Sequence, residues 1–219
     1  MSAFDPLFED LPGKIPIFPL PEVLLLPHGR LPLNIFEPRY LAMVDDALAG
    51  NRMVGMIQPC DEGAGDPAPE IYRTGCAGRI CRFEETPDGR YLIALAGVCR
   101  FDVAEELPLA NGYRSVRPDW SAYQDDLEVC VCGLDRGRLL PALRQYFDSQ
   151  GIEADWAALQ EAPDERLVTC LSMICPFCAS EKQALLEAAG LAERAEMLLA
   201  LVELAVLDES GGPGGRTTQ

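Results

Sequence analysis

Residues 71–103, IYRTGCAGRICRFEETPDGRYLIALAGVCRFDV, decide the fold of this chain. The stretch contains two long β-rich runs joined by a turn, in which Pro87, Asp88 and Gly89 stand where turn chemistry favours them. This pattern predicts a β-hairpin. Glycines within the two runs, at positions 75, 78 and 97, are typical of bulges, bends or close backbone approach, as a small coiled barrel requires.

Three short apolar runs bounded by prolines precede the hairpin: KIPIFPL at 14–20, EVLLLP at 22–27 and LPLNIF at 31–36. We expect edge or barrel strands there, because proline cannot donate to a central ladder. At Pro38 the apolar spacing becomes helical, and Gly50 can end that helix. Residues 52–59 (RMVGMIQP) resume extended structure. An acidic loop with glycine and proline follows, which is a minor candidate for contacting basic segments.

From about residue 125 the period becomes helical. Five helical segments are predicted: RGRLLPALRQYFDSQG at 136–151, ADWAALQEA at 154–162, DERLVTCLSMIC at 164–175, SEKQALLEAAG at 180–190 and LAERAEMLLALVELAVL at 191–207. Pro176 stops the third of these. Ser180 and Gln183 suggest a capping box for the fourth.

The sequence therefore predicts an α+β protein, with a β-barrel lobe that contains one inserted helix, followed by an α-helical lobe. The expected boundaries are an N-terminal extension at 1–13, the β lobe at 14–122, the helical lobe at 123–209 and a disordered tail at 210–219.

Charge and composition restrict the function. The formal net charge is −17 and neither half of the chain offers a cationic face, which argues against nucleic acid and anionic membranes as partners. The start has no basic region followed by an apolar core, and the most apolar segment, 197–207, is too short to cross a bilayer. Nine cysteines, an odd number, fit reduced thiols. We expect a soluble cytoplasmic protein without a cofactor.

Five ordered blocks carry a family resemblance: PIFPLPEVLLLP, LPLNIFEPRYLAMV, GMIQP, GCAGRI and DGRYLIALAGVCRF. Over residues 15–103 they resemble the N-terminal substrate-binding domain of Lon proteases, and the helical remainder is similar to the stand-alone bacterial members. The resemblance implies a PUA-like β-barrel followed by helices, and recognition of proteins or peptides. His28 departs from the family pattern, which more usually has glycine at that turn.

The residues give no support to the chemistry of complete Lon proteases. The chain lacks the G-x-x-x-x-G-K-[ST] phosphate loop, and its only lysines are Lys14 and Lys182. Ser180 is two positions before Lys182, so the two side chains would not face each other on a helix. We therefore predict a non-enzymatic module with no catalytic residue. A Lon-like peptidase with an unrecognised site remains the alternative.

The binding residues are predicted at the junction between the third strand and the first helix. Phe36, Glu37, Arg39 and Tyr40 flank the helix start, where Glu37 complements the helix dipole and Arg39 can reach a carboxylate or backbone carbonyl. One interpretation is that these residues form a strand-to-helix corner, where the charged pair only fixes the local geometry of the chain. The other is that Phe36, Arg39 and Tyr40 line a groove, since aromatic residues and arginine dominate peptide-binding hot spots.

Two further alternatives remain open. Cys175 and Cys178 have the C-x-x-C spacing of a zinc or redox site, for which Cys170 or the pair Cys130 and Cys132 would have to supply more ligands. The simpler interpretation is small buried residues, so we predict no metal. RNA is a competing partner by analogy of fold, although acidic residues lie among the hairpin arginines. The expected partners are polypeptide segments or a protein, with a homodimer possible through the last helix.

Overall fold

A computed structural model describes residues 6–60, 69–128 and 133–211, without the side chains of residues 110 and 208–211. Within these ranges the strands are β1 (Ile15–Pro19), β2 (Arg30–Ile35), β3 (Met53–Ile57), β4 (Thr74–Glu85), β5 (Tyr91–Ala110) and β6 (Tyr113–Asp119). The α-helices are α1 (Pro38–Ala49), α2 (Arg136–Gln150), α3 (Trp156–Glu161), α4 (Asp164–Ile174), α5 (Ala179–Glu187) and α6 (Leu191–Gly211). Short 3₁₀ segments lie at Phe8–Asp10 and Ser121–Leu127.

The strands form one sheet in the order β2-β5-β4-β3-β1-β6, and β5 also pairs with β6. All pairs are antiparallel except β1 with β3. The α+β class is confirmed. The expected closed β-barrel is corrected to a six-stranded sheet that curls back on itself: residues 91–102 of β5 pair with β4 and residues 102–110 of β5 pair with β6, while β2 adds to β5 as an extra strand.

The local signals explain most elements. Pro38 occupies the start of α1, and Gly151 ends α2 in the left-handed conformation at φ 66°. The predicted hairpin is β4 and β5, which pair from Thr74–Asp102 to Glu85–Tyr91 with two register shifts. Ala77 of β4 and Phe101 of β5 belong to a buried apolar cluster with Ile15, Ile17, Met53, Ile57 and Val116.

Two sequence predictions for the β region are corrected. Residues 22–27 are not a strand: Leu24, Leu25 and Leu26 are buried in irregular backbone. Gly97 permits this, because a Cβ at that position would lie 1.9 Å from the carbonyl oxygen of Leu26. Strand β6 was not predicted, although Asn111-Gly112 between β5 and β6 is a strong hairpin signal, with φ values of 51° and 83°.

The start of α5 also differs from the prediction. The helix begins at Ala179, so the residue at the cap is Cys178 and not Ser180. The backbone N–H of Cys178 donates to the Glu181 carboxylate at 2.8 Å, which satisfies the exposed end of the helix.

The chain divides into two compact units, and the division differs from the predicted boundaries at 122 and 123. The first unit is Met1–Val129 with Ser172–Glu187, and the second is Cys130–Leu171 with Ala188–Gln219. Helix α5 therefore belongs with the sheet. Two hydrogen bonds join it to the β region: buried Gln183 donates to the Thr74 carbonyl at 3.1 Å, and Gln58 donates to Gln183 at 3.1 Å. In the second unit, α2 packs against α6.

Candidate functional site

One surface of the first unit, which we call the outer face, combines exposed apolar and basic side chains. Side chains alternate along strands, so the strand register assigns its residues in three rows. The rows are Arg30–Ala96–Arg79, Pro32–Ala94–Arg82 and Asn34–Leu92–Glu84, each running across β2, β5 and β4. A register shift between Ile80 and Arg82 keeps both Arg79 and Arg82 on this face.

The opposite side of the same strands faces the core. Ile93 and Leu95 of β5 are 3% and 0% exposed, whereas Leu92 between them and the hairpin turn is 39% exposed. Leu92, the second residue of β5, is one of the exposed large hydrophobic residues of the described chain, which makes it a candidate for contact with a ligand.

The outer face holds a depression of about 360 Å³. Of its lining residues, Pro32, Asn34, Arg82, Leu92 and Ala94 belong to the rows of this face, and Leu33 and Ile93 are the strand neighbours between those rows. Small Ala94 lies between Pro32 and Arg82, which leaves room above the sheet. The lining is mostly apolar with one charged group at its border, which is the usual composition of a site that accepts an apolar side chain.

Of the four predicted site residues, Phe36 directly follows β2, whereas Glu37, Arg39 and Tyr40 lie at the start of α1, a helix that packs against β1 and β6. Phe36 is 64% exposed and follows Ile35 directly. Glu37 is the residue at the cap of α1, but its side chain makes no capping hydrogen bond. It accepts instead from the Arg39 Nε atom at 3.0 Å. The Arg39 guanidinium lies 4.5 Å above the ring of Tyr40.

Tyr40 is 7% exposed and its ring centroid lies 4.2 Å from that of Phe18. Burial raises the pKa of Tyr40, and the charge of Arg39 partly opposes this effect. The ring is therefore a core element that supports Arg39. Of the four residues, Phe36 is the one that presents an apolar surface, and the binding role of the set remains a prediction.

Ser180 and Lys182 do not form a hydroxyl–amine pair. The Ser180 Oγ atom lies 3.2 Å from the Cys178 Sγ atom, while the Lys182 Nζ atom donates to the Glu22 carbonyl at 2.7 Å. Burial lowers the pKa of Lys182, so the amine is perturbed, but its hydrogen bond fixes a backbone turn. That turn needs support, because Glu22 has a positive φ of 58°.

The cysteine motif combines two different environments. Cys175 is fully buried and burial raises its pKa to about 12, which favours the protonated thiol over a metal-binding thiolate. Cys178 is exposed, as is Cys170. Across residues 6–60, 69–128 and 133–211, no three His, Cys, Asp or Glu side chains come together in a way that could hold a metal ion. Cys130, Cys132 and most of the acidic loop lie outside the described residues.

Sequence reasoning missed the residues of the depression. The signal was present in YLIALA at 91–96, where Leu92, Ala94 and Ala96 alternate with the buried Ile93 and Leu95. Which face would stay open was not readable, because this depends on pairing between distant segments, such as Pro32 with Ala94, as well as within the hairpin, such as Ala94 with Arg82. None of the helices in the described part of the chain has the length and apolar content needed to span a bilayer.

Comparison with known proteins identifies the family of this arrangement. The family model of the ATP-dependent protease La (LON) substrate-binding domain matches residues 14–203. The chain is 30% identical to a Lon protease of Flavobacterium johnsoniae over 197 residues, covering 85% of this chain and 23% of that protein. It is 24% identical to Lon protease 2 of Myxococcus xanthus over 198 residues, covering 89% and 24% respectively. The chain thus spans about a quarter of the length of these relatives.

Two solved structures share the fold. The Lon N-terminal domain protein from Xanthomonas campestris has a TM-score of 0.58 and 23% identity, covering 85% of this chain and 97% of that one. The N-terminal domain of the Mycobacterium avium complex Lon protease has a TM-score of 0.57 and 13% identity, covering 86% and 97%. The chain therefore belongs to the family of the ATP-dependent protease La (LON) substrate-binding domain.

Proposed function

We propose that this protein binds polypeptide segments without cleaving them, and that they bind on the outer face next to Phe36. The observation that carries the proposal is the depression around Leu92, a mostly apolar hollow that Arg82 also lines. The family is described as a substrate-binding domain, and the substrate of a protease is a polypeptide. Exposed apolar side chains of an unfolded segment match this surface, because their burial is the main favourable term in association.

The edge of β2 is a less suitable place for an added strand. Gly97 N–H donates to the Gly29 carbonyl at 2.9 Å, and in an antiparallel ladder this bond makes Arg30–Ala96 a non-hydrogen-bonded pair. The two kinds of pair alternate along the ladder, so Pro32–Ala94 is also a non-hydrogen-bonded pair. The backbone nitrogen and carbonyl of Pro32 therefore point away from β5, toward the open edge. Proline has no N–H, which removes a donor from the centre of the edge. Side-chain contact on the face is therefore the mode of binding that we propose.

A titration of fluorescently labelled β-casein, an unfolded polypeptide, tests the proposal. Leu92→Glu places a charge in the depression, and we expect it to weaken binding at least tenfold, about 1.4 kcal/mol. Leu109→Glu is the matched control, because Leu109 is also on β5 and is 67% exposed but lies away from the depression. We expect the control to bind within twofold of the unchanged protein. Equal weakening by both variants, or by neither, would contradict the assignment.

The same mixture tests the absence of cleavage. We expect β-casein to remain intact on gels with or without ATP. Fragments that disappear in a Ser180→Ala or Lys182→Ala variant would instead support the peptidase alternative.

The other expectations about partners remain predictions that accompany this proposal. They are the absence of nucleic acid and membrane binding, a cytoplasmic location, and a homodimer. Leu204 and Leu207 of α6 are 57% and 63% exposed, so they are the side chains to replace when the homodimer is tested by sedimentation.

A further inference from the structure

The outer face has a basic end as well as an apolar end. Arg30, Arg79 and Arg82 surround the two small residues Ala94 and Ala96 in adjacent rows. The third row, Asn34–Leu92–Glu84, contains the apolar Leu92 and one carboxylate, that of Glu84. Three arginines in such an area contrast with a chain whose formal net charge is −17.

Arg82 is available to a ligand even though it has an ion pair. It contacts Glu84 at 3.1 Å, with the two side chains 74% and 54% exposed. Exposed pairs of this kind contribute little free energy, so a competing carboxylate can replace Glu84 at small cost. Arg82 also lines the depression itself, so part of this residue borders whatever apolar group lies there.

We propose that the outer face selects polypeptide segments in which an apolar side chain is accompanied by a carboxylate on the same side of the extended chain. This inference rests on the proposed function and adds the chemistry of the segment. The apolar group lies in the depression at Leu92, and the carboxylate contacts Arg82 in the adjacent row. The β5 residues of these two rows, Leu92 and Ala94, are two positions apart, or about 7 Å. Residues i and i+2 of an extended peptide have the same spacing.

The net charge of the protein, taken alone, would favour basic peptides over acidic ones. A strongly acidic protein attracts basic peptides through its long-range field, so selection of an acidic segment requires the local arginines. The sign of the preference therefore separates recognition by this face from general electrostatic attraction.

The test uses three fluorescein-labelled peptides with the repeat Leu-Ser-X-Ser, where X is Glu, Gln or Lys. We expect the Glu peptide to bind at least tenfold more tightly than the Lys peptide at low salt. The difference should shrink as salt rises, because exposed charges are screened. Arg82→Glu should abolish or reverse the preference. Arg117→Glu is the matched control, since Arg117 is 60% exposed and pairs with Glu105, yet lies on β6. We expect it to preserve the preference.

The outcomes distinguish the two proposals. Binding of all three peptides with equal affinity, or tighter binding of the Lys peptide, overturns the inference and leaves the proposed function standing. Failure of all three peptides and of β-casein to bind overturns both. A preference that survives in Arg82→Glu, in protein whose circular dichroism is unchanged, also overturns the inference.

Discussion

Removal of the Asp126 carboxylate should strongly destabilise the first unit. Asp126 accepts from the Nε and Nη2 atoms of Arg100 at 2.8 and 2.7 Å, and also from the Arg100 backbone N–H at 2.9 Å. The two side chains are only 4% and 9% exposed. The remaining guanidinium nitrogen donates to the Leu186 carbonyl of α5 at 3.0 Å, so the pair also anchors that helix.

The expected magnitude follows from burial. Asp126→Ala leaves a buried guanidinium without its counter-charge, which costs about 3–5 kcal/mol. Domain stabilities are roughly 5–15 kcal/mol, so the loss is a large fraction of the total. Glu105→Ala is the control, because its partner Arg117 is 60% exposed and such surface pairs contribute at most about 1 kcal/mol.

Urea unfolding followed by tryptophan fluorescence measures this difference. A Trp156→Phe background leaves Trp120 as the reporter, and its ring lies 5.7 Å from Phe101 in the core of the first unit. With m near 1–3 kcal/mol per M, Asp126→Ala should lower the midpoint by at least about 1 M. A loss below 1 kcal/mol, equal to that of Glu105→Ala, would show that Arg100 does not depend on its counter-charge.

Two further predictions concern the sheet and its pH dependence. Gly97→Ala should destabilise by roughly 1–3 kcal/mol or more in the same urea assay, since its Cβ would lie 1.9 Å from the Leu26 carbonyl; an unchanged midpoint would contradict the close approach. Hydrogen bonds from Tyr113, and to a smaller extent from Asn111, hold the pKa of Asp46 below its usual value. The ionised Asp46 therefore stabilises the fold above its unfolded-state pKa, and this stabilisation is lost as pH falls through the lowered folded-state pKa. Tyr113→Phe should raise the Asp46 pKa in a carboxyl NMR titration, and a constant value would refute the assigned hydrogen bond.

The sequence predicted those elements whose signals are local. The turn at 87–89, Pro38 at the start of α1 and Gly151 at the end of α2 each act over a few residues, and each appears in the structure as expected. Asn111-Gly112 is equally local, so the missed strand β6 reflects a signal that was overlooked.

The errors have a different origin. The run 22–27 contains three buried leucines but no strand, because its backbone fits against Gly97 of a distant segment. The placement of α5 with the sheet depends on Gln58, Thr74 and Gln183, which are far apart in sequence and meet only in the folded chain. Hydrophobic periodicity cannot report such polar contacts, since it records burial and not partners.

The candidate site shows the same contrast between local sequence signals and contacts that depend on tertiary packing. Phe36 was predicted as a binding residue because an aromatic residue at a strand-to-helix corner is a local feature; it is 64% exposed, and its binding role remains a prediction. Tyr40 satisfies the same rule but is buried against Phe18, a contact that depends on tertiary packing. The alternation in residues 91–96 separates the two sides of β5, but only the register of three strands shows which residues share the outer face.

Methyl NMR with isotope-labelled leucine tests the central claim most directly, because it locates the binding surface without any substitution. On addition of β-casein, we predict shifts or broadening of the Leu92 methyl signals and unchanged signals from Leu109, the exposed leucine of the same strand. Perturbation of Leu109 with Leu92 unchanged, or no perturbation of either, would contradict the assignment of polypeptide binding to the outer face.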